Sequence, residues 1–320
     1  PLLKEHGLCL LPTGAHPWMN PMLETRRWPH GNQDIYRQYD KVFNCKGHGF
    51  ANLQSMHINL PFANDEEFSR LHNATRLLLP LLPALAASTP FLDGKLTGIQ
   101  DSRLFYYGTN QKLIPSISGD IIPEFIRSQD EYENIILKPM YEDIKPHDPT
   151  GILQYEWLNS RGAIAKFACK AIEIRVLDTQ ECVEADIAIA QLVFALLRQW
   201  CLQSDLFLTK PYETKGLKYI YAQCIQKGLN TIIEDYALLE QWQVPKKTMP
   251  VRDVWSLLIE HNSTYLDQKS QRALEHILSA GNLSERLVKA CRSEYTQEKL
   301  RQLYRQLKNC LINNQLFYPS

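Results

Sequence analysis

A chain of 320 residues with 44% apolar content can bury a large core, which excludes intrinsic disorder. Its 35 basic and 35 acidic side chains cancel and no Lys/Arg block stands out, so a general nucleic-acid or anionic-membrane binder is excluded as well. The eight cysteines form no CxxC pair, which argues against a zinc knuckle or a thioredoxin-type motif and for reduced thiols in a cytoplasmic protein.

The opening PLLKEH has no methionine or signal peptide and runs straight into apolar GLCLLP, so the chain reads as one that begins inside a domain. Residues 7–12 read as a strand ending in the turn PTGAHP. QSMHINL at 54–60 alternates, with Met56, Ile58 and Leu60 on one face and His57 and Asn59 on the other. Asn64 to Glu67 supply a cap and first-turn acids for a helix to about Ala86, in which Pro80 and Pro83 predict a kink or break. RLFYY at 103–107 reads as a third strand with Arg103, Phe105 and Tyr107 on one face, and QYEWL at 154–158 as a fourth.

AIEIRVLD at 171–178 alternates strictly, placing Ile172, Ile174 and Val176 opposite Glu173 and Arg175. On an open sheet face such a carboxylate–guanidinium pair contributes only about 0–1 kcal/mol. If enclosed, both charges need partners or a bound ion. A largely apolar helix follows to about Trp200; its longest apolar stretch, 187–197, is too short for a membrane span and contains Gln191. Amphipathic helices fill the rest, the last with Leu300, Leu303, Tyr304, Leu307, Cys310 and Leu311 on one stripe, and the one before it stopped by Gly281-Asn282. The organisation is a sheet-and-helix catalytic core at 1–202 with a helical region at 203–320 packed on it.

Three strand faces thus carry His57 with Asn59, Arg103 with Tyr107, and Glu173 with Arg175. On one concave sheet they combine an imidazole and a carboxylate for a divalent cation with guanidiniums for oxyanions, a set suited to phosphate chemistry. No Walker A, GxGxxG, GxSxG or HExxH motif occurs. By themselves, His57 reads as a core histidine, His16 and His48 as turn-ordering groups, Asp93 and Asp101 as turn formers, and Cys169 and Cys182 as ordinary thiols.

The runs PTGAHPW, HGFANLQSMHINLPF, ALAASTPF with DGKLTGIQDSR, EWLNSRGAIAKF with AIEIRVLDTQE, and ILSAGNLSERL resemble, in order, the glutamate-cysteine ligase type 2 group of carboxylate-amine ligases. The resemblance implies an α+β fold of glutamine-synthetase type, a curved, mainly antiparallel sheet with helices on its outer side. It also implies ATP and Mg²⁺, an acyl phosphate formed on a glutamate-like carboxylate, and attack on it by an amine. On this chain it implies Glu173 and His57 at the metal, Arg175 and Arg161 as catalytic phosphate-side arginines, and Arg103 and Asn59 at the substrate. An N-terminal strand with further glutamates is expected upstream, so the chain would associate with itself or with a polypeptide supplying that strand. The Ala168-Cys169-Lys170 run is less polar than in similar sequences. The alternatives are a catalytically incomplete member acting as a nucleotide-binding or regulatory protein, and a phosphotransferase of the guanidino-kinase kind.

Overall fold

The alternation in AIEIRVLD forms the central strand of the molecule, Ala171–Asp178, with Ile172, Ile174 and Val176 completely buried. In the structure, a computed structural model describing residues 2–203 and 206–319, this strand pairs antiparallel with Ser55–Pro61 on one side and Ala163–Lys166 on the other. The fold is α+β, as expected, but the main sheet has three strands and helices make up most of the chain. Two further two-stranded ladders are minimal. In one of them Phe91–Leu92 and Lys95–Leu96 are joined by Asp93-Gly94, both at positive φ (52° and 72°), the two-residue turn that suits a hairpin's twist.

One irregularity controls the face of the main sheet. Met56 pairs with Leu177 but Ile58 pairs with Ile174, so His57 stands opposite both Arg175 and Val176. This bulge adds a residue to the central strand and reverses the alternation beyond it. Asp178, partner of Ser55, thereby shares the face of His57, Asn59 and Glu173, the last being Asn59's own register partner.

Three strand expectations need correction. RLFYY lies in a helix, Ser102–Tyr107: the Asp101 carboxylate caps it by accepting the Leu104 N–H at 2.8 Å, and the cap overrides the β propensity of the aromatic residues. QYEWL supplies a single 3-10 turn, Glu156–Leu158. Residues 8–12 have no regular structure: Leu8 and Leu10 are exposed, while Leu11 packs on the smaller core and Pro12 is buried without a strand partner. The run at 167–170 is the tight connection between two paired strands, a 3-10 turn closed by Lys170 at φ 48°.

The helical expectations hold more closely. Asn64 caps Asp65–Leu78, a 3-10 turn at Leu79–Leu81 carries Pro80, and Leu82–Ala86 carries Pro83. Two carbonyls of this proline-broken stretch, Leu77 and Leu81, accept the indole N–H groups of buried Trp242 and Trp255 at 3.0 and 3.2 Å. The main apolar core is therefore built jointly by residues from Leu60 to Ile277. Phe91 and residues 283–317 form a second, smaller core, with Leu300, Leu303, Tyr304 and Leu307 buried as the stripe predicts.

The apolar helix is longer than the sequence stretch implied, running Val183–Gln203, and its segment Val183–Leu202 is long and apolar enough to cross a membrane by length and composition. In the fold it packs on Asp65–Leu78 and Gln268–Ala280, with half of that segment buried, and Gln191 donates to Asp267 at 2.8 Å. Its apolar character is that of a core helix.

Candidate functional site

Glu173 is the centre of the polar sheet face. Its Oε1 accepts from Arg175 Nε at 2.7 Å, its Oε2 accepts from Lys166 Nζ at 3.0 Å, and His57 Nδ1 stands 3.6 Å from Oε1. Lys166 reaches it because Ile164 pairs with Glu173, so Lys166, two residues on, returns to the same face. Arg175 also donates Nη1 to the Asn159 carbonyl at 3.1 Å, and His57 Nε2 meets Ser55 Oγ at 2.9 Å.

These contacts set the charges. Burial works against an ionised Glu173, but Arg175, Lys166 and His57 outweigh it and hold the carboxyl below its ordinary value. Burial pushes the His57 imidazole below 6.5, Glu173 opposes this, and Arg175, Arg103 and Lys166 push it lower again. At neutral pH the face therefore presents a carboxylate, two cations and a neutral imidazole.

A pH dependence follows with a definite sign. A depressed carboxyl contributes stability that is complete above its unfolded value, 4.5, and is lost as pH falls through its lower folded value. Glu173→Gln is expected to flatten the acid limb of the melting-temperature profile below pH 4.5. Identical acid limbs for the two proteins would refute this role.

Arg103 meets this face at Asp178 rather than beside Glu173. It is buried and its Nε donates to the equally buried Asp178 carboxylate. Asp178 also accepts from Ser88 N (2.9 Å), Ser88 Oγ (3.1 Å) and Thr89 Oγ1 (3.0 Å), while Ser88 Oγ accepts from Gly14 N at 2.7 Å. Gly14 is required there, because a Cβ would stand 2.2 Å from Asp178 Oδ1. Four separated runs, PTGAHP, AASTP, DSR and LDTQ, thus meet on one carboxylate. Burial and the neighbouring Asp178 raise Asp101 well above the carboxylate range, and Arg103 only partly offsets them.

Arg161 is placed elsewhere. It makes a bidentate pair with Glu124, both contacts 2.7 Å, donates to the Ser116 carbonyl at 3.0 Å, and lines a separate cavity of about 410 Å³. Asn59 is exposed beside Glu173. The structure therefore brings His57, Asn59, Glu173 and Arg175 together, sets Arg103 beneath them, and directs the Arg161 side chain into another cavity. Sequence reasoning missed Lys166 and Asp178. The alternation of Ile164 and Lys166 was a legible signal for the first; the second needed the bulge.

A cleft of about 430 Å³ opens at Arg175. Its walls include Tyr36 and Tyr39 from the helix Gln33–Phe43, Phe50, Tyr107, Gln111 and Trp157. The Gln111 amide donates to Tyr39 Oη at 2.9 Å and to Ser160 Oγ at 3.0 Å. The Ser160 hydroxyl in turn donates to the Leu158 carbonyl at 3.2 Å.

The donors present do not fit a resident magnesium ion, which takes oxygen ligands in octahedral geometry. Glu173 is one carboxylate with both oxygens held by cations, and its neighbour His57 offers nitrogen. Among the described residues no three His, Cys, Asp or Glu side chains converge. The expected metal pair of Glu173 and His57 is instead an ion-paired carboxylate beside an imidazole.

Comparison with known proteins decides the family, because the model of Glutamate-cysteine ligase family 2 matches residues 1–306. The chain belongs to that family. A protein of Archaeoglobus fulgidus whose name states no function is 31% identical over 314 residues, covering 97% of this chain and 77% of its own length. Proteins named "Putative glutamate--cysteine ligase 2" from Roseiflexus castenholzii and Leptothrix cholodnii are 25% and 28% identical over 210 and 248 residues, or 61% and 72% of this chain. The chain spans about half the length of these two ligase-named relatives, 46% and 55%. Within this glutamate-cysteine ligase family 2 chain, the matched span contains the whole polar face and the Asp178 junction.

Proposed function

We propose that the protein is an ATP-dependent carboxylate-amine ligase that joins a glutamate-like carboxylate to an amine, using the Glu173–Arg175 face as its anion-handling centre. The observation that carries this reading is the convergence of Arg175, Lys166, Glu173 and neutral His57 on one rigid sheet face at the mouth of a cleft. The family membership and the names of the relatives support it. The reaction converts carboxylate, amine and ATP to amide, ADP and phosphate, with an acyl phosphate between. We also read the α+β scaffold as a glutamine-synthetase-type architecture and the eight unpaired cysteines as those of a cytoplasmic protein.

The chain's own residues divide the work by charge. Arg175 and Lys166 hold the phosphoryl or carboxylate oxygens through charge-assisted hydrogen bonds. Glu173 fixes both cations in place. His57, neutral at pH 7, takes a proton at Nε2 from the amine as it attacks. Nothing in this division requires a metal ligand from the described residues.

The test is amine-dependent ADP release with MgATP, glutamate and a panel of amines. Release that depends on both carboxylate and amine, with an amide product by mass spectrometry, is the expected result; none with any pair overturns the ligase reading. A second reading, a nucleotide-binding regulatory member, draws on Glu173 being fully engaged by cations. It expects ATP binding that is indifferent to Mg²⁺ and no amide.

A further inference from the structure

We infer that the cleft beside Arg175 receives the acceptor amine as an aromatic α-amino acid, its carboxylate on Arg175 and its ring against Tyr36, Tyr39, Phe50 and Trp157. The inference rests on the ligase reading for its catalytic meaning, but its binding content stands on geometry.

Charge gives the first argument. Arg175 is the one charged residue among those lining the cleft. Its Nε and Nη1 bond to Glu173 and the Asn159 carbonyl and the Tyr107 hydroxyl lies beside it, so an incoming anion would meet the guanidinium on its Tyr107 side, at the cleft. A carboxylate matches it and an additional ligand cation near it does not.

Shape gives the second. About 430 Å³ lies within the range, roughly 300–1,000 Å³, that encloses a drug-sized ligand, far more than a small thiol amino acid fills. Five aromatic rings line it, and Tyr36 and Trp157 remain 43% and 38% exposed, large apolar faces that a flat ring would cover.

Unmet hydrogen bonding gives the third. Gln111 lines the cleft and is 2% exposed, and while its amide nitrogen serves Tyr39 and Ser160, its Oε1 has no partner. A buried acceptor without a donor is costly, and an α-amino group at Gln111, its charge balanced by the ligand's own carboxylate on Arg175, would supply one.

The test is calorimetric titration of the full chain, without ATP, by L-phenylalanine, L-tryptophan, L-cysteine and phenethylamine. The aromatic amino acids are expected to bind at least about tenfold more tightly than cysteine and phenethylamine. Trp157→Ala and Tyr36→Ala should each weaken them by about three- to tenfold, as expected for loss of one ring contact. Equal or tighter binding of cysteine, no aromatic binding, or aromatic binding unchanged in both variants overturns the inference. The two readings fail separately: aromatic binding with no ADP release on any carboxylate sinks the ligase reading alone, and ADP release with cysteine without aromatic binding sinks this inference alone.

Discussion

Arg175→Lys is expected to lower amine-dependent ADP release by about 100-fold, the usual loss when a reacting group is held about 1 Å out of place. The guanidinium does three things at fixed angles: Nε holds Glu173, Nη1 holds the Asn159 carbonyl, and the remaining end faces the cleft. A lysine ammonium is a point charge that cannot span these directions together, so the charge is kept and the geometry is lost. The measurement is kcat with saturating substrates, beside a melting curve showing that the variant is folded. A loss of less than tenfold in a folded variant would remove Arg175 from the catalytic role.

Asp178→Ala is expected to lower unfolding free energy by about 3–5 kcal/mol, the cost of leaving a buried charge without its partner. Arg103 would remain buried and positive, and the Ser88 and Thr89 donors would lose their acceptor. Asp101 cannot replace Asp178 without loss, since it already caps the Ser102–Tyr107 helix through Leu104 N. The double variant Arg103→Met with Asp178→Leu removes both charges and is expected to recover much of the loss, because an apolar pair of similar volume avoids the stranded ion. Urea unfolding midpoints with unchanged slope provide the measurement. A loss below about 1 kcal/mol for Asp178→Ala would mean that the junction is not the structural tie between its four runs.

Local patterns were legible where local chemistry decides the outcome. The central strand, its Glu173 and Arg175 face, the alternation at 55–61 and the Asn64 cap all follow from side-chain period or from a cap and its nearest N–H groups. The same local reasoning failed at RLFYY, because a single Asp101 cap three residues upstream of Leu104 outweighs aromatic β propensity. It did not foresee the partner of Arg161, whose guanidinium pairs with Glu124, 37 residues away.

By itself, the amino-acid sequence determined the α+β class, the helix-breaking prolines, the resemblance to its family, and the pairing of carboxylate with guanidinium on a core strand. Only the tertiary structure decided that Lys166 and His57 would close on Glu173, that a bulge opposite His57 would turn Asp178 onto the same face, and that five aromatic residues would wall a cleft at Arg175. The physical reason is that periodicity specifies which face a side chain occupies within its own element, whereas register, bulges and helix docking are set by packing between residues far apart in the chain.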